Sequence, residues 1–169
     1  MQEKMLQVKI DGKEKTYREG TRYLDAAQEF QKYADSRIVL ASVNGRLKEL
    51  TKKIKDGEEI CLLTLKDKNG FMTYRRSMIL LMLKAVYTVG GFELVDRVGV
   101  HYSVGSGFYV TISGEKKTEL TFLKQVEQAM REIVEKKLPI TKTSISTDEA
   151  IELFRRLGME DKEKLFHYR

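Results

Sequence analysis

Met5-Leu6-Gln7-Val8-Lys9-Ile10-Asp11-Gly12-Lys13-Glu14-Lys15-Thr16-Tyr17 decides how the first part of this chain folds. Met5–Ile10 alternates apolar and polar residues, the period of a half-buried strand. Asp11-Gly12 is a two-residue hairpin signal, because both positions tolerate positive φ, and Lys13–Tyr17 is the return strand. Working outward, Gly20 breaks the strand and Thr21 offers an N-cap hydroxyl. Tyr23, Ala27, Phe30 and Ala34 then recur at helical spacing, which predicts one apolar face turned toward a sheet, with the helix ending at Asp35-Ser36. Ile38–Val43 reads as a strand, Asn44-Gly45 as a second hairpin turn, Arg46–Leu50 as its return, Asp56-Gly57 as a turn and Glu59–Leu65 as a final apolar strand.

That order, two strands, a helix and three more strands in about 65 residues, predicts a β-grasp (ubiquitin-like) roll, since one helix can cover one face of a small mixed sheet. The fold class is therefore α+β. Lys66-Asp67-Lys68-Asn69-Gly70 is short and polar, and it sets the expected boundaries: a first domain over 1–66, a hinge at 67–71 and a second domain over 72–169. In the second domain, residues 72–88 are apolar on nearly every side, which predicts a centrally buried helix. Two strands follow, Leu94–Val104 and Gly107–Ile112, around Gly105-Ser106-Gly107. A helix over 121–137, capped by Thr121 and stopped by Pro139, places Leu123, Val126, Met130, Ile133 and Val134 on one face. Ile140–Ile145 reads as a strand. Ser146-Thr147-Asp148-Glu149 is a capping box for a helix closing at Gly158, and a last helix starts near Asp161.

Composition narrows the function classes. The 169 residues are 41 % hydrophobic and 33 % charged, enough apolar mass for a core. The longest apolar run, Met78–Leu83, is far too short to span a bilayer. The single cysteine, Cys61, excludes an internal disulfide framework, and with no signal-like segment after Met1-Gln2-Glu3-Lys4 it leads to a cytoplasmic expectation without a membrane partner. Net charge is +6, but residues 1–70 carry 15 basic and 12 acidic side chains and residues 71–169 carry 16 and 13. Charge is thus interleaved rather than gathered into the one-sided basic stripe of a dedicated nucleic-acid binder.

Lys9-Ile10-Asp11-Gly12, Tyr17-Arg18-Glu19-Gly20-Thr21, Ala41-Ser42-Val43-Asn44-Gly45 and Asp56-Gly57-Glu58-Glu59-Ile60 together resemble a TGS domain, the β-grasp module of threonyl-tRNA synthetases, GTPases and stringent-response enzymes. Residues 73–158 are similar to the editing domain of threonyl-tRNA synthetases, through the helix opening near Arg75-Arg76-Ser77, the Gly107-Phe108-Tyr109-Val110 strand and the Asp148-Glu149-Ala150 helix. That family carries histidines at two positions of the first helix, four residues apart. Here those positions are Arg76 and Leu80, and neither side chain can ligate a metal. The resemblance therefore implies an editing-like scaffold with no metal site and no deacylation chemistry.

Thr73-Tyr74-Arg75-Arg76-Ser77-Met78, Val100-His101-Tyr102-Ser103-Val104 and Asp161-Lys162-Glu163-Lys164-Leu165-Phe166 also resemble TGS-containing nucleoside (uridine) kinases. This implies a non-catalytic regulatory or ligand-binding front end, cut at Tyr168-Arg169, of an enzyme whose C-terminal P-loop domain would use ATP and magnesium. The alternatives are an RNA- or tRNA-binding module related to the threonyl-tRNA synthetase N-terminal domains, or a degenerate editing hydrolase.

No catalytic constellation is legible. Gly114-Glu115-Lys116-Lys117-Thr118 lacks the earlier glycine of a P-loop, since Tyr109 stands at that offset. Glu58 and Glu59 are neighbours on a strand and face opposite ways. Ligand-binding expectations fall on Arg75 and Arg76, able to clamp a phosphate at a helix start, and on His101 and Tyr109, strand residues able to line a pocket or stack on a base. A nucleotide or RNA is the expected ligand class.

Overall fold

In the computed structural model, residues 4–115 and 118–168 are described. Met1, Gln2 and Glu3, the lysines 116 and 117 of the Gly114–Thr118 segment, and Arg169 lie outside the described residues. The chain forms two compact units, residues 1–78 and 79–169, and each is considered by itself.

The first unit is a five-stranded mixed sheet. Its strands are β1 (Met5–Ile10), β2 (Lys13–Arg18), β3 (Ile38–Val43), β4 (Arg46–Lys48) and β5 (Glu59–Thr64), in the order β2-β1-β5-β3-β4. β1 and β5 run parallel and the other neighbours antiparallel. The hairpin turns take the geometry their residues allow: Asp11 and Gly12 sit at φ 46° and 82°, Asn44 and Gly45 at 48° and 77°. Alternation along β1 buries Leu6, Val8 and Ile10, which pack with Ile38, Ala41, Val43 and Ile60 and with Tyr23, Ala26, Ala27 and Phe30 of α1 (Tyr23–Phe30). The helix starts one residue later than the Thr21 reading, with Arg22 at the N-cap. The Thr21 hydroxyl is turned away and donates to the Arg18 carbonyl at 2.8 Å. After Phe30 the chain tightens into a 3-10 turn, Gln31–Tyr33, so α1 ends short of Asp35.

The segment read as a hinge is helical. α2 spans Lys68–Gly90, and the turn that leads into it is held by Asp67, whose carboxylate accepts from the Thr64 amide at 2.7 Å and the Thr64 hydroxyl at 2.9 Å. Gly70 does not act as a breaker. A Cβ there would lie 2.0 Å from the Thr64 carbonyl oxygen, so glycine is needed for close approach rather than for a turn.

The second unit contains the hairpin β6 (Arg97–Val104) and β7 (Gly107–Ser113) with α3 (Leu120–Glu135), α4 (Thr147–Arg156) and α5 (Glu160–His167). Its core joins Ala85 and Val86 of α2 to Val95, Phe122 and Val126. Three expectations fail here for identifiable reasons. α2 is not centrally buried: apart from Gly70 its fully buried residues, Ala85, Val86 and Gly90, fall in its last turns, while Leu80 is 49 % exposed. α3 starts after Glu119, not Thr121, and presents Phe122, Val126, Ala129, Met130 and Ile133 to the core while Leu123 and Val134 stay exposed. Residues 138–146 form no strand and pair with none of the described strands, and Ile140 and Ile145 are exposed. The Ser146 capping box is as read: its hydroxyl accepts from the Glu149 amide at 3.2 Å, and the Ser146 amide donates to the Glu149 carboxylate at 2.7 Å.

Candidate functional site

The four expected ligand-binding residues separate into two places, one in each unit. Arg75 and Arg76 lie on α2. Because the helix begins at Lys68, they are about two turns in, away from the first-turn amides that make a helix start attractive to anions. The helix-terminus part of the phosphate reading is therefore lost and only the charge remains. The Arg75 guanidinium lies 5.7 Å from the Phe71 ring centroid, one turn earlier on the same face, and Arg76 is exposed.

His101 and Tyr109 are brought together by the β6–β7 hairpin. Val100 pairs with Val110 and Ser103 with Phe108, so two residues of β6, His101 and Tyr102, stand opposite the single residue Tyr109. This is a β-bulge, and it re-aims side chains that regular alternation would separate. The His101 ring lies 5.5 Å from the Tyr109 ring at 38°, and the Tyr102 ring stacks on Tyr109 at 5.3 Å and 22°. His101 Nε2 is hydrogen-bonded to Thr111 Oγ1 at 2.8 Å. Gly99 makes room for that bond, since a Cβ at 99 would meet Thr111 Oγ1 at 2.8 Å and His101 Nε2 at 2.9 Å. Tyr102, Thr111 and Gly99 escape the sequence reading because the bulge depends on cross-strand register, which strand alternation does not report.

A second feature also went unread. Tyr33, 68 % exposed, has the ammonium groups of Lys13 and Lys32 at 5.1 Å and 4.9 Å from its ring centroid. Nearby, Glu29 accepts from Lys15 at 2.6 Å and from Tyr17 at 2.7 Å. Lys15 leads the interactions that hold the Glu29 carboxyl below its ordinary value.

The buried polar group of the first unit is structural. Burial pushes the Glu58 carboxyl up, but hydrogen bonds from Lys48 Nζ (2.8 Å), the Tyr23 hydroxyl (2.6 Å) and the Lys55 amide (2.9 Å) together leave it lowered. Burial and the Glu58 hydrogen bond push the Tyr23 hydroxyl up to about 12. All partners are satisfied within the network, so it offers no open valence to a substrate.

Among the described residues, no three His, Cys, Asp or Glu side chains converge to hold a metal ion, and no helix is long and apolar enough to cross a membrane. Gly114, the described start of the P-loop-like segment, is closely packed: a Cβ there would lie 2.5 Å from the Leu94 carbonyl oxygen.

No protein-family model matches the sequence. Curated relatives do. The chain is 35 % identical to the threonine–tRNA ligase of Thermotoga maritima over 153 residues, covering 89 % of this chain and 23 % of that protein. It is 29 % identical to the threonine–tRNA ligase of Geobacillus kaustophilus over 155 residues, covering 92 % of this chain and 23 % of that protein. With the threonine–tRNA ligase of Hyphomonas neptunium it shares 27 % identity over 157 residues, again 92 % and 23 %. The chain thus spans about a quarter of the length of the curated relatives it matches.

These relatives overturn the nucleoside-kinase reading. Similarity extending over about nine-tenths of the chain leads to tRNA ligases, whereas the phrases that suggested a kinase are short and carry no phosphotransfer chemistry. The C-terminal kinase domain as partner has no support.

Proposed function

We propose that this chain is an RNA-binding module equivalent to the N-terminal TGS and editing-like domains of threonyl-tRNA synthetases, and that its ligand is tRNA. The five-stranded sheet with one helix across its face is then the β-grasp TGS domain over 1–66, and residues 72–169 are the editing-like domain. The observation that carries the reading is the 35 % identity to a threonine–tRNA ligase across 89 % of the chain. The net charge of +6 favours a polyanionic partner. In this reading the module binds without hydrolysing, because Arg76 and Leu80 offer no lone pair where the editing scaffold would place imidazoles.

Binding of a tRNA transcript to the full chain, measured from 50 to 200 mM salt, tests the proposal. Affinity should fall steeply with salt. The double variant Arg75→Glu, Arg76→Glu should bind more weakly and flatten the salt dependence by about one unit of slope per lost phosphate contact. A chain that fails to bind tRNA at the lowest salt overturns the reading.

A further inference from the structure

We infer that the bulged hairpin carries a stacking platform for one unpaired nucleobase, formed by Tyr102 and Tyr109 and braced by His101. The inference rests on the RNA-binding reading above.

The rings are gathered at the surface rather than in the core. The inward residues of the two strands include Val98 and Ile112, which pack against the second unit's core. On the other side Tyr102 is 64 % and Tyr109 47 % exposed, with their ring planes only 22° apart. The bulge is what places adjacent residues 101 and 102 against the same ring. His101 is fixed beside it by Thr111, in space that exists because residue 99 has no side chain.

Two nearly parallel phenol rings present a flat π-surface, which a base can extend by stacking, whatever its identity. Neither strand, Arg97–Val104 or Gly107–Ser113, contains an aspartate or glutamate, so the hairpin sets no carboxylate of its own against a phosphate backbone. Arg97, at the far end of β6, is directed toward Asp161 at 3.8 Å, so the recognition is by stacking rather than by an ion pair. A single-stranded RNA segment or an unpaired nucleotide of a folded RNA fits these features. A duplex, whose bases are already stacked, does not.

The test uses the full chain and two probes: a tRNA transcript, and a single-stranded RNA octamer carrying one 2-aminopurine. Wild-type protein should quench the 2-aminopurine fluorescence on binding. Tyr102→Ala should weaken octamer binding about 5- to 150-fold, the range that loss of base–aromatic stacking produces. Tyr102→Phe, which keeps the ring, should quench and bind as the parent does. If tRNA binds but the octamer is not quenched, and Tyr102→Ala and Tyr109→Leu bind RNA unchanged, the platform is wrong and the RNA-binding reading stands. Loss of self-association in Tyr102→Ala with RNA binding intact would make the rings a contact between copies, which also overturns it. If neither RNA binds wild-type protein, both readings fall together.

Discussion

The two units draw on similar sequence resources and hide them differently. In the first, strands and helix close on a continuous core from Leu6 to Ile60, and its buried carboxylate, Glu58, is fully paired. In the second, the buried cluster joins the last turns of α2, Val95 and one face of α3, with Val98 and Ile112 of the hairpin packed against it, while Leu80, Tyr102, Ile140 and Ile145 remain at the surface. The lesson is about where apolar residues are available to do something besides hold the fold. Both units expose some large apolar side chains, Tyr33 and Leu47 in the first among them, but the second leaves more of them at the surface, available for contacts.

The largest effect should come from the centre of the first core. Ile60 is 0 % exposed, on the strand that joins β1 to β3. Ile60→Ala should cost about 2–5 kcal/mol through lost burial and the cavity left behind. Hydrogen exchange of the β1 and β3 amides, read against denaturant, measures it. A cost below about 1 kcal/mol would mean the first core is no better packed than the second, and the contrast between the units would fail.

Glu58→Ala should cost less, about 1–3 kcal/mol, since it leaves Tyr23 and the Lys55 amide short of an acceptor while Lys48 can still reach water. Its pH dependence has a definite sign. The folded carboxyl titrates below its ordinary value, so its contribution is present above the unfolded value, near about 4.3, and is lost as pH falls through the lowered folded one. The stability gap between the parent and Glu58→Ala should therefore be constant near neutral pH and shrink in acid. A gap that widens on acidification would contradict the network as described.

How much of this was legible follows the range of the interaction concerned. Asp11-Gly12 and Asn44-Gly45 could be read because the positive φ they adopt is a property of those residues themselves. The Ser146–Glu149 box was legible for the same reason: both partners lie within one turn. What failed depends on neighbours distant in sequence. Gly70 looks like a breaker until the Thr64 carbonyl is placed beside it, Ile140–Ile145 needs a strand to pair with, and residues 72–88 need cover to be buried. Two of the three rings in the cluster, His101 and Tyr109, could be named, but Tyr102 is brought in only by the register slip opposite Tyr109. The kinase reading failed differently: it rested on short phrases, and similarity across the chain outweighs them.

The smallest effect is the most telling for the second unit. Leu80 stands on α2 and is 49 % exposed. Leu80→Ala should change stability by less than about 0.5 kcal/mol, because little apolar area returns to water and alanine is at least as good a helix former. A cost of about 2–5 kcal/mol, the range for a buried leucine, would show instead that this stretch of α2 is covered in solution. That result would remove the contrast between the units at its most exposed point, because the apolar face of α2 would then be core.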